Sequence, residues 1–331
     1  MAAYLDPSSP IRAYHPRDES DVVSVWHRAG RAAYPFLPAW QSFTEEQAAE
    51  AFRRDLLPGH EAWVADAGGP RIVGFLTRKG SYIDRLYVDP DVQRCGWGGQ
   101  LLDHARTLSP DGLELCTHRR NHPARIFYEQ RGFLAVDFGV SPPPESEPDV
   151  TYTWRPLAEG ETAVRPATEE DALFLPGVER SAATMYLPRA RELGLTRAAL
   201  AGTYSVDEFR AAARERRLWV ALNRAEVPVG FALCRETDGW AHLDEFDIHP
   251  TYGRRGTGSA LITEACRALV ARGLRGVTLC AFRDPPWTVP FYRKNGFRIV
   301  AEAEAPPHLA GIVQAERDRG LRTDLRVMMA R

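Results

Sequence analysis

The stretch DRLYVDPDVQRCGWGG, Asp84 to Gly99, returns 160 residues later as DEFDIHPTYGRRGTGS, Asp244 to Ser259. In both copies a short apolar strand runs into a proline, and a glycine-rich turn then opens a helix. Leu101, Leu102, Ala105 and Leu108 follow the first turn at helical spacing, as Leu261, Ile262, Ala265 and Leu269 follow the second, and Gly112 and Gly273 stand as stop signals. Such a turn aims successive backbone N–H groups and the positive end of a helix at one point, where an anion can sit. Glycine suits it because a side chain would block close backbone approach to a phosphate. Alone, the turn is weak evidence, since many strand-to-helix turns carry glycine for steric reasons only.

Working outward, the repetition continues in order. AWVA (Ala62 to Ala65) answers LWVA (Leu218 to Ala221), and VGFL (Val73 to Leu76) answers VGFA (Val229 to Ala232). Phe127, Tyr128, Gly132 and Phe133 answer Phe291, Tyr292, Gly296 and Phe297 at an offset of 164, while Ile11–Arg12 and VRPAT (Val164 to Thr168) open the two halves. One unit is used twice, which agrees with the two domains that 331 residues suggest. Each unit reads as strand, helix, helix, three successive strands, glycine turn, long helix, strand, helix, strand, an α/β domain with a mixed sheet. VTYTW (Val150 to Trp154) still belongs to the first unit, so the join is expected in Pro156 to Glu161, giving domains 1–157 and 158–331. SPPPESEP (Ser141 to Pro148) in one half, and Pro306 to Arg319 in the other, differ and are poor candidates for shared chemistry.

Composition removes other classes. At 44% apolar, 26% charged and a mean hydropathy of -0.35 the chain matches globular protein. Its 42 basic and 44 acidic residues balance to -2, so no basic field points to nucleic acid or membrane. Five cysteines without C-x-x-C spacing suggest neither a zinc cage nor a disulfide framework, and no metal; a reducing cytoplasm is expected, with no targeting or spanning segment. No G-x-x-x-x-G-K-[ST] occurs and G-x-G-x-x-G is incomplete in both halves, which sets ATP and NAD aside.

YVDP with QRCGWG, IHP with GRRGTG, and the downstream NHPARIFYEQRGF (Asn121 to Phe133) and PFYRKNGF (Pro290 to Phe297) resemble the two signatures of the GNAT family of acetyl-CoA-dependent N-acetyltransferases. The resemblance spans most of both halves and implies two tandem GNAT domains, an acyltransferase using acetyl-CoA. It implies that the cofactor's arm pairs with Leu86, Tyr87 and Val88, that its diphosphate lies on Gln93, Arg94, Cys95, Gly96, Trp97, Gly98 and Gly99, and that Asn121 meets the arm. The second half would use Phe246, Asp247 and Ile248 with Gly253, Arg254, Arg255, Gly256, Thr257, Gly258 and Ser259. Gly253 stands where the family prefers Gln or Arg, and Asp284, Pro285, Pro286 and Trp287 replace the Asn and its neighbours.

Transfer of an acetyl group to an amine needs the ammonium, of pKa about 10.4, to lose a proton and the leaving thiolate to gain one. Tyr128 and Tyr292 resemble the family's general acid, although each also fits a core aromatic beside a phenylalanine. For the base, strand alternation places Tyr82, Asp84, Leu86 and Val88 on one face, and Trp240, His242, Asp244, Phe246 and Ile248 on the other copy's. A carboxylate among apolar neighbours is pushed towards a working base. Asp84 and Asp244 are therefore the candidates, with His242 extending the second relay; the competing reading is that either Asp holds an Arg and solvent is the base. Tyr34, Phe36 and Trp40, and Met185, Tyr186 and Leu187, line an acceptor pocket or belong to the core. The expected acceptor is a small-molecule amine, with a non-catalytic second half or a protein amine as alternatives, and a monomer or homodimer as the assembly.

Overall fold

The computed structural model describes residues 10–68, 71–143, 145–155 and 162–331. The expected join at Pro156 to Glu161, and with it the boundary between 157 and 158, lies outside these residues. By its contacts the chain forms two units, Met1–Tyr128 with Phe133–Pro156, and Glu129–Gly132 with Leu157–Arg331.

The first unit runs β1 (Ile11–Ala13), α1 (Glu19–Ala33), α2 (Pro38–Ser42), α3 (Glu45–Ala51), β2 (Glu61–Asp66), β3 (Ile72–Lys79), β4 (Tyr82–Val88), α4 (Trp97–Leu108), β5 (Leu113–His118), α5 (His122–Glu129), β6 (Leu134–Asp137) and β7 (Asp149–Trp154). Its sheet has the order β1-β2-β3-β4-β5-β7-β6. Among the described residues only β4 and β5 pair in parallel, as the crossover through α4 requires. Leu101, Leu102 and Ala105, the helical stripe seen in the sequence, are fully buried. On the opposite face α1 and α2 bury Val22, Trp26 and Trp40 with Phe52 and Phe75. A Cβ on Gly30 of α1 would lie 1.9 Å from the Trp40 ring, so glycine there admits the indole against the helix backbone.

The second unit runs β8 (Ala163–Pro166), α6 (Leu175–Ala183), α7 (Arg197–Ala201), α8 (Val206–Arg214), β9 (Leu218–Leu222), β10 (Pro228–Thr237), β11 (Trp240–Ile248), α9 (Thr257–Ala271), β12 (Val277–Phe282), α10 (Thr288–Lys294), β13 (Arg298–Ile299), α11 (His308–Asp318) and β14 (Arg326–Ala330). Its sheet order, β8-β9-β10-β11-β12-β14-β13, repeats the first topology, again with one parallel pair, β11 with β12. Even a corner repeats: Arg12 on β1 donates two hydrogen bonds to Asp18, and Arg165 on β8 donates two to Asp171. The units differ where the closing strands are joined, for α11 fills the second while the first has an irregular segment around Ser141.

Candidate active site

In each unit the parallel strands splay apart. β4 meets β5 only at Tyr82 with Glu114, and β11 meets β12 from Ala241 to Leu243 and no further. Leu86 to Val88 and Phe246 to Ile248 therefore keep their ladder partners on one side only, with β3 and with β10. The edge facing the gap is free to pair with an extended ligand.

The glycine turns sit at the end of that gap in matching conformations. Arg94 has φ 65° and Gly96 φ 97°; Arg254 has φ 61° and Gly256 φ 90°. Gly96 and Gly256 are the N-caps of α4 and α9, and among the described residues no side chain caps either helix. A Cβ on Gly256 would meet nothing within 4 Å, and one on Gly96 only Gln100 Nε2 at 3.9 Å. Among the described residues the first-turn amides of each helix have no side-chain cap, as a phosphate site requires. Gly98 and Gly258 have another cause: a Cβ there would lie 3.2 Å from the Phe127 or Phe291 ring, so these glycines let α5 and α10 pack close. Arg94, Cys95, Arg254 and Arg255 are exposed, Trp97, Gly99 and Ser259 partly so. Thr257 is buried, its hydroxyl 3.3 Å from that of Thr162. Gln93 donates to the Val88 carbonyl at 3.1 Å, a bond Gly253 cannot copy. Asn121 is buried and accepts from the Ala124 amide at 3.3 Å, capping α5.

The alternation expected along β4 and β11 is interrupted. Thr77 pairs with Arg85 but Arg78 with Ile83; Leu233 pairs with Glu245 but Cys234 with Leu243. Asp84 and Asp244 are the extra residues of two β-bulges, and a bulge flips the faces beyond it. Val88 and Ile248 consequently turn towards the glycine-turn helices, where a Cβ on Gly98 or Gly258 would lie 3.7 Å from Val88 or 3.6 Å from Ile248, and Leu86 and Phe246 share their faces. They do not share a face with the aspartates. Nor are the aspartates set among apolar groups: Asp84 lies 3.1 Å from Arg85 and 3.8 Å from His60, and Asp244 is bound by Arg235 through Nε at 2.6 Å and through a second guanidinium nitrogen. The premise that made Asp84 and Asp244 bases fails, because a charged partner occupies each. His242 does not extend a relay either: burial presses its pKa down to about 3, and its ring bonds Thr278 at 3.0 Å, which bonds His308.

Other side chains converge where the bases were sought. In the first unit Tyr34, at the end of α1, stands 5.2 Å from the His118 ring and 6.1 Å from Phe36. His118 Nε2 lies 3.0 Å from Glu145, which also accepts from Trp40 Nε1 at 3.2 Å and whose pKa that His118 contact lowers. Tyr87 faces Trp40, and burial next to Tyr34 pushes its phenol up. Tyr128 is buried with Phe127, Phe133 and Tyr152 around its ring. Trp40 is core; Tyr34 and Phe36 are half-buried at the rim.

In the second unit Tyr186 takes the place of Tyr34, its ring 5.9 Å from Phe282 and 6.0 Å from Trp287, while Met185 and Leu187 point outward, exposed. Tyr292 packs on Phe246, Phe291 and Phe297, and burial raises its phenol. Beyond the bulge lie Glu245 and Asp247, and α6 brings Glu179, whose carboxylate accepts from the Tyr204 amide at 3.1 Å. Burial, then repulsion from Glu245, lifts Glu179 to about 9; burial likewise raises Glu245 and Asp247. Sequence reading missed His118, Glu145, Glu179 and the Glu245 carboxylate. Glu145 lies in a segment set aside because the halves differ there, and Glu245 was hidden by the bulge.

A family model described as an acetyltransferase (GNAT) domain matches residues 58–134, and one described as the acetyltransferase (GNAT) family matches 187–297. The peptidyl-lysine N-acetyltransferase YjaB of Salmonella typhimurium is 35% identical over 124 residues, covering 37% of this chain and 81% of that protein. The chain belongs to the GNAT acetyltransferase family. It is an acyltransferase of two tandem GNAT domains, and its cofactor is acetyl-CoA. The probable N-acetyltransferase Rv2775 of Mycobacterium tuberculosis is 29% identical over 166 residues, 45% of this chain and 86% of that one. Among solved structures, apo-form YjaB from Escherichia coli is 28% identical, covers 43% of this chain and 95% of its own, and gives a TM-score of 0.38. The free strand edge and uncapped turn amides fit such a cofactor in both GNAT domains. Among the described residues no group of three or more His, Cys, Asp or Glu could hold a metal ion, and no helix is long and apolar enough to cross a membrane.

Proposed function

We propose that both GNAT domains, residues 1–157 and 158–331, acetylate a primary amine of a small molecule by direct attack, with Tyr128 and Tyr292 as general acids. The observation that carries this is the pairing, in each unit, of a splayed strand edge and an uncapped glycine turn with a tyrosine beside them. Acetyl-CoA supplies the acetyl thioester. Leu86 to Val88 and Phe246 to Ile248 pair with its arm through their backbones; Gln93 to Gly99 and Gly253 to Ser259 hold the diphosphate, with Asn121 beside the arm.

The amine arrives as an ammonium and gives its proton to a positioned base. Glu245 serves in the second unit, because burial moves a carboxylate towards neutral pH where it accepts protons well. In the first unit His118 serves, its ring aimed by Glu145. Asp84 and Asp244 act as positioning groups, fixing Arg85 and Arg235. The tyrosine hydroxyl then protonates the departing thiolate. Lysyl side chains of proteins are the second reading for the acceptor, favoured by relatives whose names record peptidyl-lysine N-acetyltransferases.

The test is Tyr128→Phe with Tyr292→Phe. Loss of a general acid costs about 10²–10⁴-fold in kcat, whereas CoA affinity, which rests on backbone groups, stays as it was. A double variant that keeps kcat and loses CoA binding removes the tyrosines from the acid role.

A further inference from the structure

We propose that the first unit acetylates an amine that also carries a carboxylate, and that the open edge of Arg85 holds this carboxylate, with Trp26 Nε1 and Thr77 Oγ1 as neighbouring donors. The inference rests on the reading of this unit as an acetyltransferase of small amines with His118 as its base.

Arg85 follows the Asp84 bulge and is held at one nitrogen. Its Nη1 donates to the Asp84 carbonyl at 2.8 Å and to the Asp84 carboxylate at 3.1 Å. Among the described residues Nε and Nη2 have no partner, and the partly exposed guanidinium lies 5.9 Å over the Trp26 ring. The Nε–Nη2 edge is the fork that meets a carboxylate side-on. Elsewhere in the chain that edge is filled in this way: Arg54 grips Asp55 through it at 2.8 Å on both nitrogens, and Arg267 grips Glu264 at 2.8 and 2.7 Å. Arg85 leaves it open. The carboxylates around it are committed, Glu145 to His118 and Trp40, and Asp84 to Nη1 with His60 at 3.8 Å. Two further donors on this face are buried without partners. Thr77 is the ladder partner of Arg85, and its Oγ1 is fully enclosed; Trp26 Nε1 belongs to the ring that Arg85 covers. Buried donors left unpaired cost folding free energy, which an arriving anion recovers. The same wall leads to the base: the Trp26 ring meets Trp40 at 6.3 Å, Trp40 meets Tyr34 at 5.5 Å, and Tyr34 meets His118 at 5.2 Å.

The frame itself does not demand these groups, as the second unit shows. Its matching ladder pair is Leu233 with Glu245 where the first unit has Thr77 with Arg85. Glu179 follows Asp171 at the spacing at which Trp26 follows Asp18. Three donors in one copy thus answer a hydrocarbon and two carboxylates in the other, so the set follows the ligand and not the strand.

The test uses the full chain with Tyr292→Phe, loaded with CoA, and β-alanine, 4-aminobutyrate and 6-aminohexanoate, each beside its own amide. Calorimetry measures binding, and thiol release from acetyl-CoA measures turnover. A charge-assisted hydrogen bond is worth about tenfold or more, so at least one acid is expected to bind about tenfold tighter than its amide. Arg85→Gln brings every pair within about twofold, and the thermal midpoint checks its fold. Arg85→Lys is the second variant: it keeps the charge and gives up the fork, and the preference falls about threefold or more. Acids that bind no better than their amides, or a preference that survives Arg85→Gln, overturn the proposal. If the preference depends on Arg85 while no probe releases thiol, the carboxylate site stands and the catalytic reading of this unit fails. Thiol released equally from acids and amides keeps that reading and removes Arg85 from acceptor choice.

Discussion

Alanine at Gly96 separates the anion cradle from the packing around it. Gly96 has φ 97°, and an added Cβ meets only the flexible end of Gln100 at 3.9 Å, so no clash arises. What remains is the left-handed backbone, which costs an L-residue about 1–2 kcal/mol. In a domain of this size that lowers the thermal midpoint by about 2–8 °C. A backbone that relaxes out of this conformation also re-aims the first α4 amides, and one lost charge-assisted hydrogen bond costs about 1.5–3 kcal/mol. CoA affinity of the first unit should therefore fall about 10–100-fold. Native mass spectrometry counts the outcome: two CoA per wild-type chain, one for Gly96→Ala, none when Gly256→Ala is added. Gly98→Ala is the contrast, because its Cβ presses the Phe127 ring at 3.2 Å and its first effect is on stability. If Gly96→Ala lowers the midpoint while CoA stoichiometry and affinity keep their wild-type values, the turn is a structural corner and the reasoning is wrong.

Gly30→Ala should destabilise the first unit by at least about 1–3 kcal/mol, since its Cβ falls inside the Trp40 ring, and a midpoint unchanged in calorimetry would show that Trp40 has room to move. His118→Gln on a Tyr292→Phe background should lower the remaining turnover about 10²–10⁴-fold with CoA binding intact; unchanged turnover assigns His118 to packing alone. Glu179 gives a stability signature of defined sign. Its folded pKa of about 9 exceeds the ordinary carboxyl value of 4.5, so between them the folded state holds a proton that the unfolded state has lost. Stability then falls as pH rises through that window, by about 1.4 kcal/mol per pH unit for one proton. Glu179→Gln should flatten the slope between pH 5 and 9 in chemical denaturation, and an unaltered slope would place the titration elsewhere.

How much of this was readable without coordinates depends on whether a feature is local. The glycine turns, the stripe of Leu101, Leu102 and Ala105, and the strand VTYTW are written in neighbouring residues, and the structure places them as the spacing implies. The bulges at Asp84 and Asp244 are not local. A bulge is a count of two residues against one on another strand, and β4 alone carries no sign that Asp84 is the surplus residue. The same holds for Arg235 with Asp244 and for His118 with Glu145, pairs that depend on register and on a segment 27 residues away. Period-two reasoning is sound up to a bulge and inverted after it, which is why Glu245 and Asp247, not Phe246 and Ile248, came to the α6 face.

The two units diverge in a pattern that follows from which atoms do the binding. The proposed cofactor side is made of amides and backbone edges, which do not depend on the replacement of Gln93 by Gly253, Cys95 by Arg255 and Trp97 by Thr257. Arg94 and Arg254, then Gly96 and Gly256, keep their dihedrals within a few degrees, and Phe127 and Phe291 press the next glycine at the same 3.2 Å. The acceptor side is made of side chains and has no such insulation. There Arg85 opposes Glu245, Tyr87 opposes Asp247 and His118 opposes Phe282, while the ring of Tyr34 or Tyr186 is held in common. Two copies under one demand for acetyl-CoA and two demands for acceptor would drift apart in this way, preserving main-chain geometry while reversing charge a single residue beyond the same bulge.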